Sequence, residues 1–298
     1  MLTGGTGFIG RRLVEVLLNL KCKVTVLTRN PEASEKLFQG QVSIVEGLSN
    51  IGSTAAFDVV INLAGEPLAE KRWNAKRKQE FINSRVQTTA SICDLLSRLK
   101  HQPDVLINGS AIGFYGPHGD DVLTEESAAV DCFSHNLCRR WEEQALQAKP
   151  FVGRVCLLRI GIVLGQDGGP LKELLQPYKF GVSTQISSGQ QWMSWIHRDD
   201  LIAMVLHLIC EPKLSGPING TAPNPVTNAG FADVLEQCFR TFIRVRVPTK
   251  ILSLLVGELA DEVLITGQKV LPTKIENSGF VFEYSQLIQA IEDIVGAR

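Results

Sequence analysis

The chain opens on a short apolar start and a glycine-rich stretch, Leu2-Thr3-Gly4-Gly5-Thr6-Gly7-Phe8-Ile9-Gly10, and then settles into a repeating pattern. Leu13, Val14, Leu17 and Leu18 recur at helical spacing and predict an amphipathic helix directly after the glycines. Residues 23–28 alternate and are rich in β-branched side chains, which predicts a strand. Residues 58–63 and 105–108 are continuous apolar runs, the pattern of strands buried on both faces. Helices are predicted over 75–99, with one charged face, and over 134–148, with Leu137, Trp141 and Ala145 on one stripe. A further strand is predicted over residues 154–160. Such alternation predicts an α/β fold with a doubly wound parallel sheet. After Gly165 the pattern loosens, broken by Gly168-Gly169-Pro170 and Ser187-Ser188-Gly189. Helices are expected to dominate a smaller lobe there, beside the carboxyl ends of the strands. The predicted division is 1–165 for the first domain, with 196–220 returning to it, and 166–298 mainly for the lobe; residues 196–210 are read as a helix.

The glycines lie where a strand gives way to a helix, and their spacing of three suits a nucleotide diphosphate. The first glycine makes the tight turn, the second admits backbone N–H groups to the pyrophosphate, and the third lets helix and strand pack closely. An NAD site carries an acidic residue for the ribose 2′-hydroxyl about 20 residues further on. This chain has Thr28-Arg29-Asn30 there instead. A guanidinium binds a 2′-phosphate as a fork, so NADP is the expected cofactor; the alternative for Arg29 is a solvated strand-end charge. Arg11 and Arg12 are candidates to add to the same phosphate pocket. Only two or three residues precede the loop, whereas a central strand needs about five. Met1-Leu2-Thr3 is therefore read as the stub of a strand, through a start-site error or a truncation. An extension by about five apolar residues is expected to raise stability and cofactor affinity.

Composition narrows the function classes. The 298 residues are 44% hydrophobic and 20% charged, with 30 basic against 31 acidic, as in an ordinary soluble globular protein. No basic surplus points to nucleic acid, and the apolar stretch 201–210, interrupted by His207, is too short for a bilayer. The N-terminus carries no secretion signal, and seven scattered cysteines without CxxC spacing suit buried thiols, so a cytoplasmic location is expected. The isolated histidines predict no metal site, and Asn219-Gly220-Thr221 is discounted as a glycosylation sequon.

Several strings together carry a family likeness. The glycine loop, Asn62-Leu63-Ala64-Gly65, Ser110 and the segments Leu158 to Gly165 and Trp195 to Leu201 resemble an extended short-chain dehydrogenase/reductase. Asn62-Leu63-Ala64-Gly65-Glu66-Pro67, Lys71-Arg72-Trp73, Ser188-Gly189-Gln190-Gln191-Trp192, Asn219 to Pro225 and Gly267 to Pro272 are similar to the atypical group labelled "epimerase family protein". That resemblance covers the whole chain. It implies a Rossmann-type NADP-binding domain and a smaller C-terminal substrate lobe, with a family-specific module at about 248–296. It also implies a cofactor site made by Gly4, Thr6, Gly7, Phe8, Ile9, Gly10, Arg29, Leu63, Ala64, Gly65 and Arg85. Arg85 stands where extended members often carry an asparagine that bonds main chain in the active site.

In the superfamily a serine and a Tyr-x-x-x-Lys pair flank the nicotinamide. Ser110 can fill the serine role, but Cys132 and Asn136 occupy the tyrosine and lysine positions, a departure common in the atypical group. The remaining candidates for proton transfer are Tyr115 and His135, or else a packing residue and a solvated first-turn residue respectively. On the substrate side the candidates are Glu66, Arg72, Trp73, Gln191, Trp192 and His197, with Trp195 read as a core anchor, and His197 and Asp200 also read as fixing a helix start with Asp199 or Asp200 near its N-cap. The leading expectation is an NADP-dependent oxidoreductase or epimerase-like enzyme on a small polar substrate. Its rivals are a catalytically silent NADP-binding sensor or scaffold, linked in related sequences to cell or organelle division, and a sugar-nucleotide binding module. A monomer or weak homodimer is expected.

Overall fold

The computed structural model of the chain describes residues 1–68, 72–250 and 266–296. In chain order the first strands are β1 (Leu2–Thr3), β2 (Thr25–Leu27), β3 (Ser43–Val45), β4 (Val59–Asn62) and β5 (Val105–Ala111). They are followed by β6 (Val122–Leu123), β7 (Arg154–Ile160), β8 (Ile162–Leu164), β9 (Val182–Ile186), β10 (Trp192–Met193) and β11 (Trp195–His197). The last are β12 (Gly216–Gly220), β13 (Val226–Thr227), β14 (Ile243–Val247) and β15 (Lys269–Val270). Seven of these form one sheet in the order β12-β7-β5-β4-β1-β2-β3, every pair parallel. The order reverses at β1, whose neighbours β2 and β4 lead away in opposite directions; this switch point is where such sheets take ligands.

The continuous apolar strands are explained by burial on both faces. Ile61, Ile107, Cys156 and Leu158 pack toward helices α1 (Phe8–Asn19) and α6 (Arg198–Cys210). Their neighbours Val60, Leu106, Val155 and Leu157 pack toward α3 (Ala75–Arg98) and α4 (Phe133–Leu146). Between β2 and β3 lies α2 (Pro31–Phe38), with Asn30 capping it and Pro31 at its first turn. The α6 helix covers the first face, and Arg154 ties down its end by donating to the carbonyls of Leu208 and Ile209 at 2.5 and 2.9 Å. Ile196 belongs to β11, so the predicted helix over 196–210 begins later, at Arg198, where the His197 ring accepts from the Asp199 N–H as a cap.

Among its described residues the lobe contains α5 (Gly169–Leu174), α7 (Asn228–Cys238) and the helices Thr273–Asn277 and Leu287–Val295, together with the two-stranded pairs β8–β11, β9–β14 and β10–β13, which the sequence reading did not foresee. These strands are short and pair across long stretches of chain, Val182 with Ile243 for example, so no local periodicity announced them. Leu164, Leu171, Tyr178, Trp195, Phe231 and Ile291 form the lobe's core. Among the described residues no helix is long and apolar enough to cross a membrane, and no group of three or more His, Cys, Asp or Glu is placed to hold a metal.

Candidate functional site

The glycine loop turns back at the end of β1. Gly4 has φ +71°, and a Cβ there would come within 2.6 Å of the Leu63 carbonyl oxygen. A Cβ on Gly10 would lie 2.1 Å from the Gly4 oxygen, so only glycine lets α1 pack against the turn. Gly7 is the N-cap of α1 and offers no side chain, which leaves the first-turn amides of α1 without a side-chain cap. Thr6 and Gly7 are exposed. A helix N-terminus of this kind, over a turn that brings backbone close, suits a diphosphate. Leu63 donates to the Thr3 carbonyl at 3.2 Å, which sets the Leu63-Ala64-Gly65 segment beside the glycine turn across the switch point. Phe8 turns its ring away: Cβ atoms on Gly165, Gly168 or Gly169 would sit 2.7–2.8 Å from it, and Arg198 stacks on it at 4.8 Å.

Arg29 is exposed at the end of β2, just before the capping Asn30, with no carboxylate of its own beside it in sequence. Arg11 is also exposed. Arg12 is a correction: it reaches Asp199 with two hydrogen bonds of 2.9 and 3.0 Å and Glu15 at 2.9 Å. It fastens α1 to α6 and is not available to a phosphate.

Beneath the crevice runs a buried polar chain. Thr3 Oγ1 donates to Asn62 Oδ1 at 2.6 Å, and Asn62 Nδ2 donates to Asn108 Oδ1 and Thr89 Oγ1 at 2.6 and 2.9 Å. Trp141 Nε1 also donates to Thr89 Oγ1, at 3.0 Å. These bonds fix the carboxyl ends of β1 and β4 and the middle of β5 relative to one another. Arg85, on α3, donates to the carbonyls of Glu66 and Phe81 at 3.1 and 3.3 Å and lies over the Trp141 ring. Burial lowers its pKa from the usual guanidinium range. A Cβ on Gly65 would meet its guanidinium carbon at 2.9 Å, so Gly65 lets the backbone pass over the charge.

The proton-transfer candidates fall into two environments. Ser110 is 4% exposed and donates to Glu142 at 2.6 Å. Glu142 in turn accepts two bonds of 2.9 Å from Arg159. Arg159 also donates to the Tyr115 oxygen at 3.1 Å and stacks on Phe114 at 3.4 Å, while Tyr115 donates to Asn219 Oδ1 at 2.6 Å. Burial pushes the Tyr115 phenol up, against the pull of Arg159. Cys138, next to this network, is pushed up to about 12 by burial. His135 is different. It sits half-buried on the first turn of α4, its Nδ1 2.6 Å from the Phe114 carbonyl. Cys132 is the N-cap of that helix, and Asn136 donates to Asp131 and to the Cys132 carbonyl.

The substrate-side candidates are not brought to one place. Glu66 pairs with Arg77 at 3.2 Å, and Arg72 is exposed, whereas Lys71 lies outside the described residues. Trp73 is buried against Phe81 and Phe133 and donates to the Leu68 carbonyl. Gln191 donates to the Ile186 carbonyl, and Trp192 donates to Asp120 beneath Lys269. Trp195 is fully buried. His197 faces the C-terminal helix Leu287–Val295, 3.4 Å from Asp293, and lies against the Tyr284 ring; burial lowers its pKa. Sequence reasoning missed Asn108, Thr89, Glu142 and Arg159. An arginine inside the apolar run of β7 was the available signal.

Comparison with known proteins fits this crevice. The family model described as "NAD dependent epimerase/dehydratase family" matches residues 1–219, and one described as "Domain of unknown function (DUF1731)" matches 247–294, of which 251–265 lie outside the described residues. An epimerase family protein of Staphylococcus haemolyticus is 38% identical over 301 residues, covering 100% of this chain and 99% of the relative. An Arabidopsis thaliana protein named "Epimerase family protein SDR39U1 homolog, chloroplastic" is 37% identical, over 98% of this chain and 85% of its own length. The crystal structure of human epimerase family protein SDR39U1 (isoform2) with NADPH superposes with a TM-score of 0.89 at 28% identity, covering 100% of this chain and 99% of that one.

Proposed function

The chain belongs to the NAD dependent epimerase/dehydratase family, and from that premise we propose an NADP-dependent oxidoreductase acting on the carbonyl of a small polar substrate. The observation that carries this reading is the pairing of a turn only glycines can make with an exposed arginine, in place of a carboxylate, at the end of β2. The cofactor supplies hydride chemistry when bound. Gly4 to Gly10 present backbone N–H groups to its diphosphate, Arg29 meets the 2′-phosphate, and Leu63 to Gly65 line the other wall. The NADPH named with the human relative supports the same choice.

His135 is assigned the proton. A carbonyl only accepts, so its contact with Phe114 places the neutral ring's proton on Nδ1 and makes Nε2 the basic atom. The test is NADPH oxidation over a panel of small carbonyl compounds, wild type beside His135→Ala. Turnover that falls by about 100-fold or more in the variant, with NADPH affinity kept, is the expected result. Binding of NADPH without turnover of any compound contradicts it.

One observation favours a second reading, a cofactor-binding sensor or scaffold. The Ser110 hydroxyl, in the superfamily's serine position, and the hydroxyl of the candidate Tyr115 are engaged by Glu142, Arg159 and Asn219. A partner protein captured only in the presence of NADPH would support that reading.

A further inference from the structure

The C-terminal module, matched by a domain of unknown function, sends one short segment back through the molecule. Residues 267–271 run between three parts that lie far apart in the chain: the loop after β5, the residue ahead of β11 and the end of β12. Gln268 Nε2 donates to the Gly116 carbonyl at 3.2 Å, and the Gln268 carbonyl accepts from Ser194 Oγ at 2.7 Å. The Val270 N–H donates to the same Ser194 oxygen at 2.8 Å, and Asn219 Nδ2 donates to the Leu271 carbonyl at 2.9 Å. Ser194 is tied to the lobe in turn, its carbonyl accepting from the Ile162 N–H at 2.8 Å. Gln268, Ser194 and Asn219 are all buried, so losing one bond leaves a polar group without its partner.

Packing closes the same joint. The β15 strand lies parallel to β6, with Lys269 opposite Val122 and Val270 opposite Leu123. Tyr115, Leu123 and Val270 form a small core, and Ile112 and Phe114 pack against it. Two glycines allow the close approach. Both have positive φ, and a Cβ would come within 2.3 Å of the Val130 oxygen at Gly116 and 2.4 Å of the Trp192 oxygen at Gly267.

The loop gripped in this way is the one that sets His135. The Phe114 carbonyl lies 2.6 Å from His135 Nδ1, and the Phe114 ring meets the imidazole edge-on, 5.1 Å between centroids. Residues 112–116 form one tight turn, in which the Tyr115 and Gly116 N–H groups donate to the carbonyls of Ile112 and Gly113. A hold on the Gly116 carbonyl is therefore a hold on Phe114, two residues away. We propose that Gln268 is a positioning residue for His135, and that this crossing segment is how the C-terminal module serves the site. Gln268 anchors Gly116, the turn carries the anchor to the Phe114 carbonyl, and that carbonyl keeps the neutral ring's proton on Nδ1. Its part in turnover rests on His135 being the proton-transfer group, as assigned above.

The test uses Gln268→Met, which keeps the side-chain length and removes the donor. Ile291→Val, in the core of the lobe, is the control for a general loss of stability. The first readout is the His135 tautomer, from the ring nitrogen shifts of histidine-labelled protein at about pH 8, where an ordinary imidazole is neutral. His135→Gln assigns the signals. The second readout is turnover of carbonyl compounds with NADPH. Wild type and Ile291→Val are expected to keep the proton on Nδ1, whereas Gln268→Met shares it between the two nitrogens. Turnover in Gln268→Met should fall about tenfold with NADPH affinity kept. The wild-type tautomer in Gln268→Met would overturn the proposal. So would a shift in Ile291→Val as large as in Gln268→Met, which would mean that stability alone sets the ring. Absence of turnover in every protein would count against the oxidoreductase reading, and the tautomer would still decide the role of Gln268.

Discussion

Arg159 and Glu142 show what a single charged position does inside this sheet. Their side chains are 5% and 7% exposed, and each satisfies the other with two hydrogen bonds. Burial works against the guanidinium, and the carboxylate more than offsets it, so the charge is held. Removing one partner leaves an uncompensated buried charge. Glu142→Ala should therefore lower the unfolding free energy by about 3–5 kcal/mol, while Glu142→Ala with Arg159→Leu should recover part of that loss. Chemical denaturation of both variants checks it; a single variant as stable as wild type would contradict the burial of the pair. The network was not legible in the sequence. Glu142 lies 17 residues from Arg159, Tyr115 44 residues from Arg159, and Asn219 104 residues from Tyr115. Only folding brings them together, and Asn219, fully buried, had drawn notice only as part of a sequon and of a family-like string.

Among elements, legibility followed the range of the interaction. The α3 and α4 helices and β7 carry their periodicity within one stretch of chain, so the sequence located them to within a residue or two, whereas α1, expected after Gly10, begins at Phe8. The paired strands of the lobe depend on distant partners and were not seen. The β1 strand is the informative case, because two residues form a central strand by borrowing order from both neighbours.

At the scale of the whole molecule, the parallel sheet, its reversal at β1 and the glycine turn make one crevice. The sequence foretold that crevice because each part is local: a turn, a helix start, a strand end. It foretold less about the substrate side: Trp195 as a core anchor and His197 at a helix start were legible, but Trp73 serves packing, Gln191 bonds within the lobe and Trp192 bonds Asp120. Aromatic and polar residues clustered in sequence are separated in space once short strands send alternate side chains to opposite faces. The central claim is that the crevice takes NADP and reads its 2′-phosphate through Arg29. The measurement that tests it most directly is the affinity for NADPH and NADH by intrinsic fluorescence, wild type beside Arg29→Asp. A preference for NADPH of tenfold or more, about 1.4 kcal/mol, that disappears in the variant is the predicted result. Equal affinity for the two nucleotides in wild type, or a preference untouched by Arg29→Asp, would contradict it.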